Sequence, residues 1–405
     1  MNPLSVTFDV PASILQGLAN GSLLRNGGVI QDTSGQVVMW LKELAGAGIS
    51  PSSSVILPGI DPATGALNLA MQGVNAGISM RGFAAVTQQL NAIQGVITLT
   101  SAASVLSLGV SAIGFTMISR KLKQLEKRLK EVKILLQDID YKVDLGFYSN
   151  FKAALDLAQN AFLMSKGINR ESSAHSAINR FLEAEHVYTE LIDKELDNKS
   201  QIGDEYLLTL CLAYIAEARC YLELGEYDTA IRRFEEGKTV TRPRFEKYVD
   251  SLLTPQPAVY LHPVMKDHIN LSRLTRILQW KDPSLNENLV FENIRETWYS
   301  NWDIEEWINT LPASIIEQKD IKRGFFGVKN EAIGEVLTRL PDVADEMESM
   351  IETSRRFESY ELEVKAITKL KVSYSEWLKL TEVASGNAES NIVCVIPKEP
   401  IDVNS

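Results

Sequence analysis

From Gly82 to Ser119 the chain has no Asp, Glu, Lys, Arg or His, and the run ends abruptly in Arg120-Lys121. A stretch this long without charge does not make an ordinary solvated helix face; protein or lipid must take it out of water. At ~1.5 Å per residue, Val96–Ile118 is long enough to cross a ~30 Å hydrocarbon layer as a helix. Seven of its residues are Ser or Thr, so it is only moderately apolar. Thr100, Ser104, Ser107, Ser111 and Gly114 recur every three or four positions. On a helix they form one stripe of small residues, a surface that permits close helix–helix approach. Bulky residues, Val110 and Ile113 among them, spread over the other faces. Two environments satisfy this pattern: a membrane, or the crowded centre of a soluble helical bundle.

The segment belongs to a wider asymmetry. Before Arg120 the charged residues are Asp9, Arg25, Asp32, Lys42, Glu43, Asp61 and Arg81, whereas the rest of the 405 residues is conventionally charged. Ala66–Met80 is also uncharged, with a Gly73/Gly77 small-residue pair, so two apolar arms could fold as a hairpin bent at Arg81. Arg120 to Lys133 holds seven basic and two acidic residues. Arg120, Lys121, Lys123, Lys127 and Arg128 form a collar suited to anionic headgroups and to the positive-inside bias. The same stretch carries a heptad seam, Ile118, Leu122, Leu125, Leu129, Val132, Leu136, Ile139 and Val143, which predicts a coiled coil. Stripe and seam share one register, and neither Gly nor Pro lies between Phe115 and Leu145. One helix from about Asn91 to Leu145 is therefore expected. The shared register also suits a single soluble bundle.

Elsewhere the pattern is helical, with one exception near the start. Val29–Gln31 and Gln36–Trp40 are β-prone runs around Asp32-Thr33-Ser34-Gly35, a hairpin signal in which Gly35 supplies a positive φ. Gly46–Thr64, rich in Gly, Ser and Pro, reads as a linker. Amphipathic helices follow Phe147. Tyr221, Gly225, Tyr227, Ala230, Ile231 and Phe234 resemble the tetratricopeptide helix–turn–helix pattern over roughly Tyr206–Thr241. Ala177–Leu196 is a helix of similar character. Pro243 reads as punctuation, and Pro341 as the opening of a last long helix to about Thr381. On that helix Val343, Met347, Met350, Ser354, Phe357, Glu361 and Val364 keep a four–three rhythm with two polar interruptions. The expected architecture is mainly α, with long coiled-coil-like helices, a tetratricopeptide-like helical-hairpin domain and a small N-terminal β-hairpin. Its parts are a hairpin region with linker (1–63), the apolar segment (64–119), the basic coil (120–146), the hairpin domain (147–311), the C-terminal helix (312–383) and a tail (384–405) in which Asn391–Ile396 is extended.

Composition narrows the chemistry. Apolar residues at 45% and charged residues at 23% match a folded chain, not a disordered or polytopic membrane protein. A net charge of −11 disfavours nucleic-acid binding. Three cysteines, Cys211, Cys220 and Cys394, make neither a disulfide framework nor a metal cluster and suit a reducing compartment. Asp9 and Pro11 precede any apolar core at the start, so no secretory signal is read. The expected location is cytoplasmic, with conditional association with an inner membrane. Phosphate-loop, dinucleotide, zinc-helix and nucleophile-elbow motifs are missing, so no catalytic, cofactor or metal residues are assigned and no enzyme is expected. Asp138, Asp140 and Asp144 lack the glycine of a calcium loop and read as a solvated face. Trp298, Trp302 and Trp307 serve either as packing residues or as anchors for a protein partner.

These observations favour a membrane-active protein that oligomerises with copies of itself in lipid. An apolar stretch joined to long coiled-coil helices looks like the architecture of α-helical pore-forming toxins, with no shared motif. That likeness implies a pore-forming or membrane-disrupting effector in a bacterial toxin or antiviral-defence setting. The alternative is a soluble scaffold that binds a partner through the hairpins and self-associates through the coil.

Overall fold

The computed structural model describes residues 12–43, 53–56, 123, 126, 141–198, 203–253, 260, 269–300, 323–324, 327–328, 330–374, 377, 392–397 and 399–403. The protein is mainly α. The described elements run α1 (Ala12–Asn20), β1 (Leu23–Asn26), β2 (Val29–Asp32), β3 (Val37–Glu43), β4 (Ser53–Ile56), α2 (Tyr141–Leu163), α3 (Gly167–Asp197), α4 (Gly203–Leu224), α5 (Tyr227–Leu252), α6 (Leu271–Lys281), α7 (Glu287–Ser300), β5 (Arg323–Gly324), β6 (Gly327–Val328), α8 (Asn330–Leu370) and β7 (Ile392–Ile396).

The hairpin expected around Asp32–Gly35 is present. β2 and β3 are antiparallel, and Gly35 takes φ +85°. The Asp32 carboxylate accepts from the Ser34 hydroxyl at 2.6 Å and from the backbone N–H groups of Ser34 at 2.9 Å and Gln36 at 3.0 Å. These bonds, the Ser34 hydroxyl first, hold its pKa below the ordinary value. The sheet is larger than the hairpin, with strand order β1-β2-β3-β7-β4. β7 runs antiparallel to β3 and parallel to β4. The segment read as linker thus contributes an edge strand. The extended run in the expected tail fills an inner position, and Ile401 bridges back to Val37. Isolated four- or five-residue strands carry too little pattern to announce such long-range pairing.

Helices α2 to α5 pack as successive hairpins, and α8 lies along α5. The tetratricopeptide-like hairpin is α4–α5, turning at Gly225. α4 is buried on every face from Gly203 to Cys220; Tyr206–Ala216 is apolar but for Thr209, and Asp204, Glu205, Glu217 and Arg219 are buried with it. A Cβ at Gly237 of α5 would lie 2.7 Å from Phe357 Cζ and 2.8 Å from Tyr214 Cγ, so a missing side chain lets α4, α5 and α8 meet. Several helix boundaries differ from expectation. Pro243 lies inside α5, where the Arg244 guanidinium donates to the Val240 carbonyl at 2.5 Å in the interrupted turn. Pro341 lies inside α8, which starts at Asn330 and ends at Leu370. No helix end falls at Leu145: α2 runs Tyr141–Leu163, through Gly146, and the rest of the expected Asn91–Leu145 helix lies almost wholly outside the described residues. Every residue of the α8 four–three series is buried, Ser354 and Glu361 included.

The β1–β2 hairpin docks on α8. Gly27 has φ +55°, and a Cβ there would lie 2.5 Å from the Arg355 carbonyl oxygen, so conformation and space both demand glycine. Arg25 pairs with Glu352, and the Gly28 N–H donates to Ser359 Oγ at 3.3 Å. Trp40 of β3 meets Trp377 edge to face at 5.6 Å.

Candidate functional site

Most of the sequence-nominated residues lie outside the described residues: Thr100, Ser104, Ser107, Val110, Ser111, Ile113, Gly114, Arg120, Lys121, Lys127, Arg128, Trp302 and Trp307. Lys123 is helical and exposed, and Trp298 sits on α7. In sequence, the uncharged run lies between two described elements. Its N-terminal side follows β4 on the edge of the sheet, and its C-terminal side leads to α2 in the helical body. The sheet joins the N-terminal hairpin, β4, the C-terminal β7 and α8 into one assembly. Among the described residues, no helix is long and apolar enough to cross a membrane.

Two buried charge clusters were not foreseen. In the first, Arg233 of α5 reaches Glu217 of α4 through Nε at 2.5 Å, and also pairs with Glu185 of α3 and Glu236 of its own helix. Its guanidinium lies 5.2 Å from the Tyr214 ring centre. Burial, then the charge of Glu217, raises the Glu185 pKa; burial likewise raises that of Glu217. One arginine faces two buried carboxyls, whose Oε1 atoms have no protein donor. Both shifts favour the protonated form over a second buried negative charge beside the single arginine. In the second cluster the ratio is reversed. Glu352 is fully buried between Arg25 and Arg356, the latter at 2.9 Å. Burial pushes its pKa up, but the two guanidiniums outweigh that and leave it lowered. The signal for Glu185 was in the sequence: it interrupts the apolar stripe Ala177, Phe181, Tyr188, Ile192 of α3.

A shallow recess of about 450 Å³ is lined by Glu235, Lys238, Thr239, Arg242, Pro243 and Glu361. Arg242 is already engaged there: it stacks 4.0 Å from the Trp280 ring centre and pairs with Glu246 at 2.7 Å and Glu358 at 3.0 Å. Thr239 Oγ1 donates to the Glu235 carbonyl at 2.9 Å, and the two lining carboxylates, Glu235 and Glu361, both pair with Lys365. Cys211 and Cys220 are buried, and burial drives both thiols well above their usual range, away from the thiolate that nucleophilic chemistry needs. His175 and His186 are exposed on α3. Among the described residues, no group of three His, Cys, Asp or Glu is placed to hold a metal ion. No protein-family model, curated protein or solved structure matches this chain.

Proposed function

We propose that this protein is membrane-active: the uncharged run inserts into lipid as helices, copies associate through the Thr100–Gly114 stripe, and the bilayer is breached. The observation that carries the reading is the charge-free Gly82–Ser119 run ending in the basic collar at Arg120-Lys121. Burying that run in lipid satisfies its apolar faces, hydroxyls can line helix contacts or water, and the collar meets anionic headgroups. The helical body and sheet would stay outside the bilayer as a charged, separately folded unit. An effector that damages its own host's membrane, as in toxin or antiviral systems, is the setting this suits. The scaffold alternative needs an open face on the tetratricopeptide-like hairpin; α4 is enclosed on all sides and α8 covers α5, which weighs against a peptide groove there.

Dye-loaded vesicles containing anionic lipid test the proposal. Wild-type protein should release dye. Val110→Lys should abolish insertion, because a charge at mid-helix is costly in hydrocarbon. Ser107→Leu should keep vesicle binding yet lose release, because a bulky side chain spoils the close contact but not the partition of a single helix. Vesicles that stay intact with all three proteins, together with full recovery of a discrete oligomer in the soluble fraction of cells, would establish the scaffold instead.

A further inference from the structure

The turn between α2 and α3 presents apolar side chains to solvent. Leu163 is 84% exposed and Ile168 is 83% exposed, well beyond any other large hydrophobic residue among those described. Met164, partly exposed, lies beside them, with Ser173 Oγ 3.8 Å from its sulfur. Backbone bonds fix the turn: Met164 N–H donates to the Ala161 carbonyl at 3.1 Å, and Arg170 N–H to the Lys166 carbonyl at 3.0 Å. Local rules are broken here without a folding gain. The N-cap of α3 is Lys166, which makes no side-chain cap bond, where Ser, Thr, Asp or Asn would stabilise the helix. A lysine there also faces the positive end of the helix dipole. Such locally unfavourable choices concentrate at functional positions.

The charge of the tip identifies its partner. Lys166 and Arg170 are exposed within the turn and the first helical residues, in a chain whose net charge is −11. One acidic group, Glu171, lies a helical turn from Ile168 on α3, so the two cations outnumber it at the tip; Asp156 lies about two turns before Leu163 on α2. Protruding aliphatic side chains flanked by cations match the boundary of an anionic bilayer, where the former reach acyl chains and the latter meet headgroups. We infer that the α2–α3 tip is a peripheral contact for anionic lipid, separate from the uncharged run. The contact rests on the membrane reading for its setting, but it involves a different segment and needs no insertion of Gly82–Ser119.

A single environment-sensitive fluorophore tests it in the full chain. In a Cys394→Ser background, Leu163→Cys carries the dye; a second protein carries it at Asn198→Cys, the far end of α3, ~45 Å away. Phosphatidylserine-containing vesicles should blue-shift and brighten the dye at 163 and leave it unchanged at 198, and pure phosphatidylcholine should do neither. Lys166→Gln and Arg170→Gln should each weaken vesicle affinity about fivefold. Ile168→Asp should abolish the response at 163; a carboxylate in the first turn favours the helix, so this loss is not a loss of fold. No change at 163 with anionic vesicles, or equal change at both sites, overturns the inference and leaves a protein partner as the use of the tip. A response at 163 without dye release would retain the tip contact while the pore reading fails.

Discussion

Burial alone raises any carboxyl pKa, and at Glu185 and Glu352 the neighbouring cations decide opposite outcomes. Glu352 has two arginines to itself and is held ionised below the usual carboxylate range. Its contribution to stability is present above that range and is lost as acid protonates it. Glu185 shares one arginine with Glu217, and its pKa is raised. For a raised carboxyl the sign reverses: the contribution is complete below the ordinary carboxylate value and is lost as pH rises beyond it. Glutamine is close to isosteric with the neutral carboxyl and never ionises. Glu185→Gln should therefore be nearly neutral at about pH 5 and increasingly stabilising, relative to wild type, toward about pH 9. Thermal melts across that range check it. A variant destabilised equally at every pH would mean that Arg233 holds Glu185 ionised, since removing one partner of a buried pair costs about 3–5 kcal/mol.

At the level of elements, the sequence exposes what repeats and hides what pairs at a distance. α3, α4, α5 and the α8 four–three rhythm are readable because a helix writes its buried face every three or four residues. The β2–β3 turn is readable because Asp32 and Gly35 do local work. Helix ends at Pro243 and Pro341 are misread because tertiary packing carries a helix through a proline that local propensity would use as a stop. The Arg233 and Glu352 clusters unite residues far apart in the chain, and only the polar interruptions in apolar stripes hint at them. The pairing of β4 and β7 is the clearest omission: Ile392–Ile396 reads as an extended run, but nothing local to it announces its partners. Its inner position gives it an outsized role. Val395→Pro, at a residue aligned with Trp40 on one side and Val55 on the other, removes an N–H from a strand with neighbours on both sides. Amide exchange should accelerate across β3 and β4 while α3 to α5 keep wild-type protection; uniform loss of protection would show that sheet and helices unfold as one cooperative unit.

For the molecule as a whole, the question is whether the sheet must open before the uncharged run can leave. Ile56 and Gly82 are joined by a stretch that spans up to ~90 Å when fully extended, against a hydrocarbon layer of ~30 Å. On the other side, Ser119 to Tyr141 would cover ~33 Å as a helix. Both tethers exceed the distance that insertion requires, so β4 can stay paired with β7 while the run enters lipid. The register offers a direct test, because Ser54 is aligned with the native Cys394 on the neighbouring parallel strand. Adjacent strands lie ~4.8 Å apart, within the span of a disulfide. Ser54→Cys should therefore form a disulfide with Cys394 under oxidising conditions, detectable by its mass and by its reversal with reductant. The locked protein should release vesicle dye as fast as its reduced form, while the sheet resists heat and protease better. Release that vanishes on oxidation and returns on reduction would instead make separation of β4 from β7 an obligatory step, and the strand pair would act as the catch that keeps the run from the membrane.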